Sequence, residues 1–171
     1  EFGPSAFSYP RFRSAPTTSD VERAVALIAD AKRPLLLTGG GVTYSDASDA
    51  VAQLARQHQI PVVTSISGKG TIAEADELSA GVVGVFGTSR ANDAMVAADL
   101  VIAIGCKLGA LTTHSWRLPR ADQTLIHIDV DGEEIGRALP AAHGIVADAR
   151  EAAVALEEGL TADGYDGRNW L

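Results

Sequence analysis

The feature that most constrains this chain is a unit that recurs along it: a short apolar run, a turn marked by glycine or aspartate, then a helical pattern. The clearest copy is Leu35-Leu36-Leu37-Thr38, followed by Gly39-Gly40-Gly41 and a helix predicted to run to about His58, with Ser45 or Asp46 as its cap. Pro61-Val62-Val63-Thr64 precedes Gly68 and Gly70, and Val82-Val83-Gly84-Val85 precedes a helix predicted near Ser89. Leu100 to Ile104 runs into Gly105, Leu125 to Ile128 ends at Asp129, and Ile145-Val146-Ala147 leads to a helix starting at Asp148. None of these runs alternates with polar residues, so both faces of each strand must be covered. Strands of this kind, joined through helices, make a parallel sheet. The expected fold class is α/β, a doubly wound six-stranded parallel sheet with helices on both faces.

Residues 1–18 carry Pro4, Pro10 and Pro16 among aromatics and serines, with no hydrophobic period, and read as a linker or an arm on the domain surface. Ser19-Asp20-Val21-Glu22 matches a capping box for a helix to about Ala31, with Val21, Ala24, Val25, Leu27 and Ile28 as its apolar face. The folded domain is expected over residues 19–160. Residues 161–171, with an exposed Trp170, read as a C-terminal tail or linker. The irregular stretch from Leu108 to Asp122, with Trp116, Arg117 and Pro119, is too long for a tight turn and is placed over a ligand or a partner domain. The chain opens Glu1-Phe2 and has Met95 as its single methionine, which reads as a piece of something longer.

Composition removes several function classes. With 171 residues, 46% of them hydrophobic, the chain supports one well-formed core. Its apolar runs fall far short of the roughly 18 to 20 residues of a membrane helix, and no basic then apolar leader opens it. A cytoplasmic setting is the expectation. A single cysteine, Cys106, excludes an intrachain disulfide and a structural zinc site. The net charge of -8 and scattered cations exclude a nucleic-acid surface.

His58, His114, His127 and His143 show no metal-ligand spacing. His58 is placed at a helix end, and His127 inside a strand as a hydrogen-bonded core residue. Cys106 has no evident histidine partner, so no catalytic residue is assigned. Gly68-Lys69-Gly70-Thr71 lacks the leading glycine of a Walker A loop, with Val63 in its place. No calcium loop fits Asp129-Val130-Asp131-Gly132, whose glycine comes two positions early.

Three turns remain as ligand candidates. Gly39, Gly40 and Gly41 end the first strand, where a doubly wound sheet brings backbone close to a phosphate; glycines serving only a tight turn are the alternative. Tyr44 stands where a dinucleotide fingerprint needs its third glycine, and Thr64 and Ser65 stand where an NAD ribose needs an acid. Gly105, Cys106 and Lys107 offer amides and an ammonium to a phosphate, or form an ordinary turn with a solvated lysine. Asp129 and Val130, with Asp131, offer a carboxylate to a ribose or adenine, or cap a helix ahead of Glu133-Glu134-Ile135.

Six blocks in order resemble the central domain of thiamine diphosphate enzymes of the acetolactate synthase type. They are Leu35 to Gly41, Pro61 to Gly70, Gly81 to Gly87 with Ala91-Asn92, Ala98 to Gly105, Ile128 to Asp131, and Val146 to Ala149. The resemblance implies a Rossmann-like central domain of a three-domain parent, a transferase or lyase that decarboxylates 2-oxo acids and transfers the resulting carbanion. It implies N- and C-terminal partner domains that bind thiamine diphosphate and magnesium, which this chain does not bind, and a homo-oligomeric parent. Some members hold FAD in this domain, others ADP, others nothing. The stretches matching nucleotide contacts are Gly39 to Gly41, Thr64-Ser65-Ile66, Gly84 to Phe86, Gly105 to Lys107, Asp129-Val130 and Asp148-Ala149. Phe86 replaces the usual histidine of the synthases and Lys107 the usual arginine, leaving FAD, ADP and an empty cleft open. A freestanding dinucleotide-binding protein and a purely structural domain are the alternatives.

Overall fold

The computed structural model describes residues 12–171. The part of the predicted arm before residue 12 lies outside the described residues. The strands are β1 (Pro34–Thr38), β2 (Val62–Thr64), β3 (Ser79–Val82), β4 (Leu100–Ile104), β5 (Thr124–Asp129) and β6 (His143–Val146). The helices are α1 (Thr18–Asp30), α2 (Gly40–Tyr44), α3 (Ser48–Gln57), α4 (Ser89–Ala97) and α5 (Ala149–Asp163). All strand pairs are parallel, in the order β3-β2-β1-β4-β5-β6. The doubly wound six-stranded sheet expected from the sequence is what forms.

Successive strand residues feed opposite cores, as the pleat requires. Leu36, Ile102, Ile104, Ile126 and Ile128 pack under α1, α3 and α5. Leu35, Leu37, Val101, Ala103 and Leu125 pack instead with Ala91 and Met95 of α4 and with Leu108 and Leu118. Side chains throughout β1 and β4 are buried, which explains why their sequences show no alternation. Asp99 locks the entry to the sheet, accepting the amides of Lys32 and Arg33 at 2.9 Å each. Among the described residues no helix is long and apolar enough to cross a membrane.

Four local expectations are corrected. Thr17, not Ser19, caps α1, accepting the Asp20 amide, and the Val21 amide already donates to the Thr17 carbonyl at 3.1 Å, which puts Ser19 inside the first turn. The helix expected to start at a Ser45 or Asp46 cap starts instead at Ser48, with Ala47 as its N-cap, and a separate short helix, α2, precedes it. Asp46 takes φ 52°, and the Ser45 hydroxyl bonds Asp148 instead of capping α3.

The third strand lies upstream of Val82-Val83-Gly84-Val85. It ends at Val82 because Gly84 turns at φ 107° and its peptide is held by the Asn92 amide, at 2.8 and 3.1 Å. Helix α5 runs through Asp163 to a left-handed Gly164. Trp170 is half-buried rather than exposed, because its indole N–H donates to the Pro34 carbonyl at 2.8 Å and its ring joins the second core.

Candidate functional site

The strand order reverses between β1 and β4, where the connections leave the sheet in opposite directions and open a crevice at the carboxyl ends of the strands. A cleft of about 1010 Å³ occupies that position. Its floor is backbone. A Cβ added to Gly39 would lie 2.1 Å from the Gly105 carbonyl oxygen, and one added to Gly41 would lie 2.7 Å from the Gly105 Cα. Gly105 itself sits at φ 56°, and its carbonyl accepts the Gly41 amide at 3.0 Å. The two turns touch main chain to main chain, so these glycines are needed for the crossing whether or not a ligand is present. Gly40 differs: its hydrogen faces Ser67, 3.1 Å from where a Cβ would stand.

Of the residues proposed from sequence, the cleft brings together Gly39, Gly40, Gly41, Ser65, Gly105, Cys106, Lys107, Asp129, Val130, Asp148 and Ala149. Thr64, Ile66, Gly84 and Phe86 are not among its lining residues. Thr64 is buried in β2, Ile66 and Phe86 are exposed, and Gly84 packs against the Leu111 carbonyl. The lining also includes Phe12, Tyr44, Ser67, Leu108, Gly109 and Thr112, none of which had been assigned to a site. The last three come from the irregular stretch after β4, so that stretch does border the cleft. Its length was the one signal for them.

The polar groups of the rim are already engaged with one another. Lys107 Nζ lies 3.1 Å from Glu134 Oε1, and Arg137 holds the other carboxylate oxygen. Arg137 first, and Lys107 with it, keeps the Glu134 carboxyl below its ordinary range. Asp129 Oδ1 accepts the Asp131 amide at 3.1 Å. Asp131 in turn accepts the Glu133 amide, in a run of turns where sequence had offered a helix.

Asp148 caps α5 through the Arg150 amide at 3.0 Å. Burial pushes its carboxyl up, but bonds from Ser45, Arg13 and that amide outweigh burial and hold it low.

Cys106 points its thiol into packing, where burial pushes it up to about 11 and removes it as a nucleophile. His127 is fully buried, as expected. Its Nε2 meets the Cys106 carbonyl at 3.0 Å while Nδ1 accepts the Gly136 amide, an arrangement only the neutral ring can complete. Burial first of all lowers its basicity. His58 closes α3, with Nε2 at 3.1 Å from the Glu157 carbonyl. No group of three or more His, Cys, Asp or Glu among the described residues is arranged to hold a metal ion.

A family profile described as "Thiamine pyrophosphate enzyme, central domain" matches residues 21–156. The chain belongs to this family. Over 152 residues it is 40% identical to a probable acetolactate synthase large subunit of Methanocaldococcus jannaschii, a match covering 88% of this chain and 26% of that protein. It is 34% identical to a glyoxylate carboligase of Escherichia coli O157:H7, covering 92% of this chain and 27% of the relative. The fold matches a Mycobacterium smegmatis structure described as a thiamin diphosphate-dependent enzyme, with TM-score 0.71 and 24% identity over 93% of this chain and 31% of that one. This central domain spans about a quarter of the length of the curated relatives it matches.

Proposed function

We propose that this central domain serves a thiamine diphosphate-dependent carboligase or decarboxylase of the acetolactate synthase type, bridging its catalytic domains and holding an adenine nucleotide, as ADP or as part of FAD. The observation that carries the reading is the cleft at the crossing of β1 and β4, floored by backbone and rimmed by carboxylates and one ammonium. Gly40, which has no side chain, and Ser67 both line the cleft, so a ligand there lies close to main chain. Asp129 stands at the end of β5, where a carboxylate suits ribose hydroxyls. Lys107 is 72% exposed and its pair with Glu134 is a surface one, worth under about 1 kcal/mol, so a diphosphate displaces that partner at small cost. Thiamine diphosphate and magnesium, held by the other domains of the parent, would supply the decarboxylation and carbon-transfer chemistry on a 2-oxo acid. Val85, Phe86 and Leu111, exposed and joined by the Val85 to Leu111 backbone bond, suit contact with neighbouring domains or subunits.

A purely structural domain is the second reading, favoured by the ion pair that already occupies Lys107. Calorimetric titration of the chain with ADP, FAD and NAD separates the two. Micromolar binding of ADP or FAD with weaker NAD supports the nucleotide reading, and no binding of any of the three leaves the structural one. For the parent, the complete reading frame is assayed for carbon dioxide release from pyruvate and glyoxylate; a chain inactive on 2-oxo acids with thiamine diphosphate and magnesium present would sink the enzymatic half.

A further inference from the structure

Asp148 matches a nucleotide-contacting stretch of the family, yet its carboxylate is already saturated by protein. Oδ1 lies 2.8 Å from Arg13 Nη1 and accepts the Arg150 and Glu151 amides, and the Ser45 hydroxyl lies 2.7 Å from each oxygen. The same Arg13 nitrogen donates to the Ser45 carbonyl and hydroxyl at 2.6 Å each. One residue further along the chain from Arg13, the Ser14 carbonyl accepts the Asp148 amide at 2.9 Å. Three pieces of chain are therefore tied at one point: residues 12–17, the end of α2, and the start of α5. The tie is partly buried, with the side chains of Arg13 and Asp148 at 22% and 6% exposure.

This knot sits on the rim of the cleft. Ser45 and Asp148 both line it, and so does Phe12, which is 86% exposed. Ordering a backbone residue costs about 1–2 kcal/mol, so residues 12–17 stay on the surface only because the knot and its neighbours hold them. Phe12 is thus held at the cleft mouth with most of its ring in water. A ligand beneath it would gain an apolar cover, and the ring would lose exposed surface.

We propose that residues 12–17 form a strap across the cleft, fastened by the clamp of Arg13, Ser45 and Asp148, and that nucleotide binding and strap docking strengthen each other. The inference rests on the nucleotide reading of the cleft. Arg13 acts as a positioning residue: it touches no ligand, but it decides where Phe12 stands. Because coupling between two binding events is reciprocal, what the ligand does to the strap the strap must do to the ligand.

The test uses the full chain and ADP. Trypsin cleavage after Arg13, followed by mass spectrometry, is expected to slow about tenfold when ADP is saturating, and Arg13→Gln is expected to weaken ADP binding by about tenfold, with Arg13→Lys restoring part of the loss. A merely structural role for Arg13 would lower the melting temperature without ligand and leave the ADP affinity alone. Arg120→Gln, which breaks an exposed pair with Asp122, is the control and changes neither readout. ADP that binds with unchanged cleavage and an unaffected Arg13→Gln overturns the strap and leaves the nucleotide reading standing. A chain that binds neither ADP nor FAD overturns both.

Discussion

The floor and the rim of the cleft lie side by side but are built on opposite principles. The floor is Gly39, Gly41 and Gly105, three residues without side chains whose backbones touch. The rim is Ser45, Lys107, Glu134 and Asp148, side chains held by one another and by Arg13 and Arg137 across up to 135 residues of sequence. Packing of the floor is set by hard contact and admits almost no substitution. Contacts on the rim are hydrogen bonds and ion pairs, each worth little alone and replaceable by a ligand's own groups. The floor thus belongs to the fold, and any ligand preference belongs to the rim.

The largest effect should come from attacking the floor. Gly39 has φ -110°, which any residue adopts, so Gly39→Ala tests the contact with Gly105 and nothing else. With a methyl group placed 2.1 Å from a carbonyl oxygen and 2.5 Å from the Cys106 Cα, one of the two turns must move. A loss of about 3 kcal/mol is expected in denaturant unfolding. An alanine variant as stable as the parent would mean that the crossing is looser than its backbone contacts imply.

Next in size is the clamp. Asp148→Ala removes the α5 cap and the partner of Arg13 together, and should cost about 2 kcal/mol. Its dependence on pH is specific. Because the folded carboxyl is held below its ordinary 3.8, the unfolded chain takes up the proton first as pH falls. The contribution is therefore complete above about pH 5 and disappears as pH drops through 3.8 and below. Asp148→Asn keeps a capping oxygen but cannot titrate, so its stability profile should be flatter across that acid limb. Profiles that superimpose would assign the limb to Glu134, Asp76 and Asp122, whose carboxyls are also held low.

The same division explains what the sequence disclosed. β1 and β4 are legible because consecutive buried residues, Leu35 to Leu37 and Leu100 to Ile104, announce a strand covered on both faces. Gly39, Gly41 and Gly105 are legible because contact between backbones leaves only glycine at those positions. The short α2 and the shift of the α3 cap to Ala47 are not, since Ser45 bonds a carboxylate 103 residues away instead of capping. Nor is the start of β3, where Gly81 and Gly84 at positive φ move the strand ahead of the more apolar Val82 to Val85. Phe12, Tyr44 and Ser67 carry no local motif at all, and only the folded chain gathers them around the cleft.

A smaller effect is expected at Lys107. Lys107→Ala removes an exposed ammonium and should change stability by under about 0.5 kcal/mol, because Arg137 continues to hold Glu134. ADP affinity should fall by about three- to tenfold, the scale of a single charge-assisted contact in water. The readout is the ratio of the two effects. A variant that loses stability but keeps its affinity would put Lys107 with the floor rather than the rim.

The smallest effect is the most discriminating. Phe86 falls in a stretch expected from the sequence to contact a nucleotide, but it is 71% exposed and lies outside the cleft lining. The reason is the displaced third strand: after Val82 the chain turns at Gly84, and Val85 pairs with the Leu111 carbonyl at 2.8 Å, carrying Phe86 to the surface. Phe86→Ala should therefore leave both the unfolding free energy and ADP affinity within about 0.5 kcal/mol of the parent. A loss of affinity beyond that would mean that a bound nucleotide extends past the cleft along the carboxyl end of β3. The rim would then reach from α5 to the far edge of the sheet.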